Sequence, residues 1–134
     1  WYSFMIILGI HHIAIIAGDY EKCKYFYTEI LGFKIIRETY RQNRNSYKLD
    51  LSVNGKYQIE LFSFADVKER LSFPEAKGLR HLAFAVKDLD AAVAHLKANK
   101  VAVQEIRFDE ITGNRFCFFN DPGGQPLEFY ESAE

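Results

Sequence analysis

An internal repeat is the feature of this 134-residue chain that most restricts how it can fold. His81 follows His12 by 69 residues, and Glu128 follows Glu60 by 68 residues. Two unrelated pairs would rarely agree so closely, and a period of this length indicates two structural copies rather than the many short units of a solenoid. We therefore expect two similar modules, with the functional residues where the copies meet.

The first copy has the pattern of a strand, a helix and three further strands. Residues 9–17 are rich in β-branched side chains and are followed by Gly18 and Asp19, which is typical of a strand that leads into a helix cap. Apolar residues then recur at three- and four-residue spacing up to Gly32, which predicts an amphipathic helix over residues 20–31. The predicted strands that follow cover residues 33–40, 46–53 and 57–64.

The second copy repeats this order after a loop over about residues 65–78, which contains Pro74. It comprises a strand at residues 79–86, a helix at 88–99 and strands near Val101, Arg115 and Pro126. We predict an α+β fold of one domain over residues 1–134, in which two βαβββ modules, at about 9–64 and 79–131, form a cupped mixed sheet.

Composition and charge exclude several classes of function. The net charge is -1, and acidic and basic residues are scattered along the chain, so neither nucleic acid nor a membrane is an expected partner. Cys23 and Cys117 are far apart and form no C-x-x-C pair, which favours a reducing cytoplasm over a disulfide framework or a thiolate zinc site. Met5 is a possible natural start, with residues 1–4 as an extension.

Strand alternation identifies four candidate metal ligands. Residues two apart share a face of a strand, so His12 is on the other face of its strand from the apolar Ile13, Ile15 and Ala17. His81 shares its face with the small residues Ala83 and Ala85. Glu60 and Glu128 are each flanked by large apolar residues that would pack under a helix. A carboxylate in such a place is costly unless its charge is compensated, and a divalent cation shared by His12, Glu60, His81 and Glu128 would compensate it.

This ligand set also predicts the kind of metal. Two imidazoles and two carboxylates suit nickel, cobalt or zinc, with iron or manganese as further candidates, and octahedral coordination would leave positions for water or substrate. His11 and His95 have no counterpart in the repeat, and we interpret both as structural or solvent-exposed.

Several motifs resemble the vicinal oxygen chelate superfamily of glyoxalase I, bleomycin resistance proteins and dioxygenases. They are HHIAII at residues 11–16, FYTEILGF at 26–33, IELF at 59–62, RHLAF at 80–84 and NDPGGQPLEFYE at 120–131. The order His, Glu, His, Glu resembles glyoxalase I. The amino-acid sequences of the motifs are most similar to those of the small bacterial glyoxalase-I-like metalloproteins of the YaeR type. The resemblance covers nearly the whole chain.

The resemblance implies a lyase or isomerase that resembles lactoylglutathione lyase and acts on a small oxygenated molecule. A divalent metal would chelate adjacent substrate oxygens and stabilise the enediolate that forms when a proton leaves the carbon beside a carbonyl. By analogy Glu128 is the first candidate to move that proton, and Glu60 is the second. A homodimer is the family expectation.

One departure from glyoxalase I concerns the substrate. Bacterial glyoxalase I has an arginine four residues after the first histidine ligand, which helps to hold glutathione, and this chain has Ile16 there. The glutathione adduct of methylglyoxal is therefore a poor candidate. Other candidates to hold an anion are the basic residues Lys48, Arg80, Arg107 and Arg115. Of these, Arg115 would share the cup face with Cys117 and Phe119 if Phe116 and Phe118 pack under the helix.

Two alternative functions remain open on the sequence. His12, His81 and Glu128 alone would form the two-histidine, one-carboxylate triad of an iron-dependent dioxygenase, although Glu60 would then occupy an open position. A binding or resistance protein of the same fold that sequesters small molecules is the other alternative, and the intact ligand set argues against it.

Overall fold

The structure is a computed structural model that describes residues 6–132. Residues 1–4 and the possible start at Met5 lie outside the described residues. The chain forms two compact units that divide between Val67 and Lys68, within the predicted loop at 65–78. No helix in the described part of the chain is long and apolar enough to cross a membrane.

The first unit is a four-stranded mixed sheet with one helical segment. Its elements are β1 Ile13–Ile16, α1 Tyr20–Tyr25, β2 Lys34–Arg41, β3 Ser46–Val53 and β4 Lys56–Phe62. The strands have the order β1-β4-β3-β2, in which β1 runs parallel to β4 and the other neighbours are antiparallel. The helix α1 continues into a π-helical turn at Phe26–Ile30, and a 3₁₀ turn at Gln42–Arg44 joins β2 to β3.

Local sequence signals account for the ends of these elements. The Asp19 carboxylate accepts a hydrogen bond from the Lys22 backbone N–H and so caps α1, as predicted from Gly18-Asp19. Asn54 and Gly55 have φ angles of 49° and 83°, which are the left-handed conformations that a two-residue hairpin turn requires. The hairpin of β3 and β4 therefore follows directly from this dipeptide.

The second unit repeats the βαβββ order and the sheet topology. Its elements are β5 Leu82–Val86, α2 Leu89–Ala98, β6 Arg107–Phe108, β7 Arg115–Asn120 and β8 Pro126–Glu131. The strand order is β5-β8-β7-β6, with β5 parallel to β8 and the other pairs antiparallel. Asp88 caps α2 by accepting a hydrogen bond from the Ala91 backbone N–H.

The predicted strand near Val101 is the main difference from the expected elements. The backbone N–H of Val101 donates to the Leu96 carbonyl at the end of α2, so it cannot pair with a strand. Pairing begins only at an isolated bridge between Val103 and Phe119, and the edge strand is the two-residue β6. The chain therefore joins the sheet later than the apolar pattern suggested.

The opening strands of both modules are also shorter than predicted. β1 begins at Ile13 and β5 begins at Leu82, where each first meets its parallel partner strand. His12 and His81 therefore stand immediately before their strands rather than within them. The predicted alternation holds in β1, because Ile15 and Ala17 are buried whereas Ile16 is 55% exposed.

Candidate metal centre

The first predicted pair of ligands comes together in the first unit. Ala14 lies opposite Glu60 in the parallel pairing of β1 with β4, so His12, two residues before Ala14, is beside the same carboxylate. The His12 Nε2 atom is 3.4 Å from a Glu60 carboxylate oxygen. Glu60 is 8% exposed, so its charge has little access to water.

The second pair repeats this arrangement in the second unit. Ala83 lies opposite Glu128 in the parallel pairing of β5 with β8, which is the position that Ala14 and Glu60 take in the first unit. The His81 Nε2 atom is 3.1 Å from a Glu128 carboxylate oxygen, and Glu128 is also 8% exposed. The sequence repeat is thus a repeat of side-chain geometry.

Each pair has the spacing of two ligands of one cation. Two ligand atoms about 2.1 Å from a metal and at right angles to each other are about 3.0 Å apart, close to the nitrogen–oxygen distances in both pairs. Within either unit, the described residues contain no group of three or more His, Cys, Asp or Glu side chains that could hold a metal ion. That the two pairs share a single ion stays a prediction.

A polar network surrounds Glu60. The Tyr57 hydroxyl lies within hydrogen-bond distance of both Glu60 and Asp50, at 3.0 Å from the Asp50 oxygen, so the two carboxylates share its single proton. The Lys48 ammonium is 3.5 Å from Asp50 and 3.7 Å from Glu60, and Arg37 is 3.6 Å from Asp50. Burial, together with the two carboxylates, raises the pKa of Tyr57, so this hydroxyl keeps its proton and remains a donor at neutral pH.

Sequence reasoning found Lys48 in this network and missed Asp50 and Tyr57. Asp50 is 1% exposed and lies directly opposite Glu60 in the pairing of β3 with β4. Its position between Leu49 and Leu51 is the same signal that singled out Glu60, an acid flanked by apolar residues in a strand. Asp50 has no acidic counterpart in the second module, and a search based on the repeat therefore passes over it.

The two histidines next to each other in the sequence also touch. The His11 and His12 Nδ1 atoms are 2.9 Å apart, and the His11 ring lies 5.5 Å from the Tyr57 ring. His11 is exposed, as one of its two predicted roles requires. This contact occupies the Nδ1 side of His12, while its Nε2 atom faces Glu60.

Aromatic rings and a pocket surround the second pair. Phe118 lies opposite Glu128 in the sheet, and its ring packs edge-on against His81 with 5.0 Å between centroids. A pocket of about 550 Å³ opens beside His81 and Glu128. Its apolar lining consists of Phe108, Ile111, Phe116, Phe118 and Tyr130.

The prediction for Arg115 is wrong. Cys117 and Phe119, which share its face of β7, are buried, whereas Phe116 and Phe118 line the pocket. Arg115 points to the helix side of the sheet, where it forms ion pairs of 2.9 Å with Asp90 of α2 and with Glu131. These carboxylates raise its pKa, and burial raises the pKa of the Cys117 thiol. Both sets of alternating residues in β7 are largely apolar, so the pattern alone did not reveal which set packs under the helix.

The other two basic candidates differ from each other. Arg80 is exposed and lies 3.9 Å from the exposed Glu75, an arrangement typical of a solvated surface ion pair. Arg107 lies over the rings of Phe116 and Phe118 and lines the pocket with His81 and Glu128. Of the four basic residues considered on the sequence, Lys48 and Arg107 are therefore next to a predicted ligand pair.

Comparison with known proteins agrees with the motifs. The chain is 60% identical over 122 residues to the uncharacterized protein YaeR of Escherichia coli (strain K12), an alignment that covers 91% of this chain and 95% of that protein. It is 28% identical over 142 residues to a 2-epi-5-epi-valiolone epimerase of an Actinomyces species, covering 90% and 78% respectively. The crystal structure of a glyoxalase family protein from Enterococcus faecalis matches with a TM-score of 0.87 and 42% identity, over 95% of this chain and 100% of that one.

A family model matches most of the chain as well. The match extends over residues 9–129, which includes all four predicted ligands and all but the last two residues of the second βαβββ module. The predicted resemblance and the predicted α+β fold are thereby confirmed. The chain belongs to the Glyoxalase/Bleomycin resistance protein/Dioxygenase superfamily.

Proposed function

We propose that His12, Glu60, His81 and Glu128 together bind one divalent cation and that the protein is a metal-dependent lyase or isomerase of the glyoxalase I type. The observation that carries this proposal is the repeated histidine–glutamate pair. Both pairs occupy equivalent positions beside parallel strands, and both have nitrogen–oxygen distances that suit ligands of one ion.

The burial of the two carboxylates supports a metal. Glu60 and Glu128 are each 8% exposed, and a carboxylate removed from water raises the free energy of the folded protein unless its charge is compensated. Lys48 and Tyr57 compensate part of the Glu60 charge, whereas Glu128 has the imidazole of His81 as its ion-pair partner. A cation with two imidazole ligands supplies that compensation, and the donor set favours nickel, cobalt or zinc, with iron or manganese as further candidates.

The surroundings of the two glutamates suggest different roles. Glu60 accepts a hydrogen bond from Tyr57 and lies 3.7 Å from the Lys48 ammonium, so it is held in place as a ligand. Glu128 has His81 as its ion-pair partner and faces an open pocket lined by aromatic rings. A carboxylate with fewer hydrogen-bond donors is less constrained in position, and a group that transfers a proton must reach the carbon on which it acts. Glu128 is therefore the group that takes a proton from the carbon beside a carbonyl and returns it to the neighbouring carbon.

The metal and the relatives fit this chemistry. When bound, the cation would supply positive charge beside the substrate oxygens on which negative charge develops. The relative named as an epimerase supports the same class of reaction, because removing and returning a proton is one route to inverting a carbon centre. The proposal includes a cytoplasmic location, since both cysteines are reduced and buried, and a homodimer, which is the family expectation.

Metal stoichiometry tests the shared site. Protein stripped with a chelator and titrated with nickel or cobalt should bind one ion per chain, measured by calorimetry and elemental analysis. His12→Gln and His81→Gln should each abolish that binding, and the control His95→Gln, on α2, should leave it unchanged. Two ions per chain, with one lost in each variant, would show that the pairs act separately.

An exchange assay tests the reaction. Metal-loaded protein should speed the exchange of hydrogen for deuterium at the carbon beside the carbonyl in some members of a panel of hydroxy- and keto-acids, followed by NMR in heavy water. Oxygen consumption with iron, without such exchange, would instead establish the dioxygenase. Tight binding of a panel member with neither reaction would establish a binding protein.

A further inference from the structure

The pocket beside His81 and Glu128 combines an apolar lining with one cationic side chain. Aromatic and apolar residues are half of the ten that line it, and Arg107 is the one arginine or lysine among them. The remaining polar residues are His81, Asp109, Glu110 and Glu128. The pocket lies wholly within the second unit. A ligand that fits it should therefore be an apolar body that carries one anionic group.

The geometry of Arg107 prepares it to bind an anion. Its guanidinium carbon lies 5.5 Å from the ring centre of Phe116 and 5.3 Å from that of Phe118, so the two rings support its planar group. One terminal nitrogen donates to the Gln104 side-chain oxygen at 3.2 Å, which fixes the orientation further. A guanidinium held in this way loses little side-chain entropy when it binds a carboxylate through two N–H groups.

The acidic residues of the pocket do not already neutralise this arginine. Within residues 6–132, no carboxylate lies within ion-pair distance of Arg107. Asp109 instead accepts hydrogen bonds from the Tyr130 hydroxyl and from the backbone N–H groups of Ile111 and Thr112, and these bonds lower its pKa. The charge of Arg107 is therefore available to a ligand.

We propose that Arg107 is the specificity-determining residue of this pocket and that it binds the carboxylate of a small organic acid whose apolar body packs on Phe116 and Phe118. The substrate class is then an apolar 2-keto or 2-hydroxy acid, with its oxygenated carbon toward His81 and Glu128. The assignment of a reacting carbon rests on the proposed function, whereas the binding of the carboxylate does not.

A pair of ligands of nearly equal shape tests the proposal directly. Phenylacetate carries the apolar body and the carboxylate, and phenylacetamide replaces the carboxylate by a neutral amide. Binding is measured by NMR titration of the metal-free protein and of the metal-loaded protein. We expect phenylacetate to bind at least about tenfold more tightly than the amide, because hydrogen bonds between charged groups are roughly twice as strong as neutral ones.

Variants then assign this preference to one side chain. Arg107→Gln should remove the preference for the carboxylate, and Arg107→Lys should retain only part of it, because an ammonium lacks the two-pronged geometry. Arg80→Gln is the matched control, since it removes the same charge from an exposed arginine outside the pocket. Circular dichroism melting checks that the variants are folded.

The outcomes separate this inference from the proposed function. Equal affinity for the two ligands, or an unchanged preference in Arg107→Gln, would overturn the role of Arg107 even if the protein binds one metal and catalyses exchange. A preference that depends on Arg107 in a protein that takes up no metal would support the anion site and refute the metal-dependent reaction.

Discussion

Tyr57→Phe is the substitution that most directly tests how the first ligand pair is held. The single proton of the Tyr57 hydroxyl is shared by two buried carboxylates, Asp50 and Glu60, which are 1% and 8% exposed. Phenylalanine keeps the ring and its contacts with His11 and His12 and removes only this shared donor. Both carboxylates would then lie near each other with fewer hydrogen bonds.

The expected loss of stability follows from the one proton that the two carboxylates share. A hydrogen bond to a charged group contributes about 1.5–3 kcal/mol, and a single hydroxyl proton sets an upper limit of about 3 kcal/mol. Tyr57 is only partly buried, so water can replace part of the interaction. Lys48 also continues to compensate both charges. We therefore expect the free energy of unfolding to fall by about 1–2 kcal/mol in the metal-free protein.

Metal affinity gives a second measurement of the same variant. A hydrogen bond that orients a ligand typically contributes 10- to 100-fold to metal affinity, so we expect a decrease of about that size in Tyr57→Phe. Urea denaturation in the presence of a chelator measures stability, and calorimetry measures metal binding. Tyr40→Phe is the control, because the Tyr40 hydroxyl donates to the exposed Asn45 and not to a predicted ligand. If Tyr57→Phe behaves like Tyr40→Phe in both assays, the network does not position Glu60.

Three further predictions concern the reaction, the substrate and the response to pH. Glu128→Gln should lower turnover by at least about 100-fold while metal affinity falls less, because general acid–base catalysis contributes about 10²–10⁴-fold to a rate; near-normal rates would remove Glu128 from the mechanism. The glutathione adduct of methylglyoxal should be turned over poorly, since the exposed Ile16 cannot pair with a carboxylate, and Ile16→Arg should lower the KM for this adduct. Efficient turnover of the adduct by the natural chain would refute this inference. The ion pair with Arg115 lowers the pKa of Glu131 from 4.5 to about 2, so its contribution to stability is complete above pH 4.5 and is lost as the pH falls toward 2. The stability difference between the natural chain and Glu131→Gln should therefore shrink over that range in urea titrations, while the exposed control Glu105→Gln shows no such change.

The predicted elements show which parts of the fold are encoded locally. The Asp19 and Asp88 caps and the Asn54-Gly55 turn each depend on a few neighbouring residues, and the structure has an element boundary at each of them. The strand near Val101 could not be predicted in the same way. Its apolar residues fit a strand, but the hydrogen bond from the Val101 N–H to the end of α2 depends on where the helix stops.

The candidate metal centre likewise contains residues that the sequence pattern reveals and residues that depend on tertiary contacts. The repeat identified two histidines and two glutamates because the duplicated modules place them at matching positions, and strand alternation predicted that all four face the cup. Which glutamate lies beside which histidine depends on the parallel register within each sheet. Asp50 and Tyr57 belong to one module only, so the repeat carries no signal for them. Their contact with Glu60 depends on the register between β3 and β4.

Periodicity, caps, turns and duplication are properties of short segments or of their spacing, so the sequence was sufficient to predict the superfamily and the two βαβββ modules. The four ligands stay a prediction of the same kind. In contrast, the packing of Arg115 against α2 and the position of Arg107 over Phe116 and Phe118 depend on the tertiary structure. Both faces of β7 carry apolar side chains, so the choice between them depends on which face the helix covers, and that is a contact between distant parts of the chain.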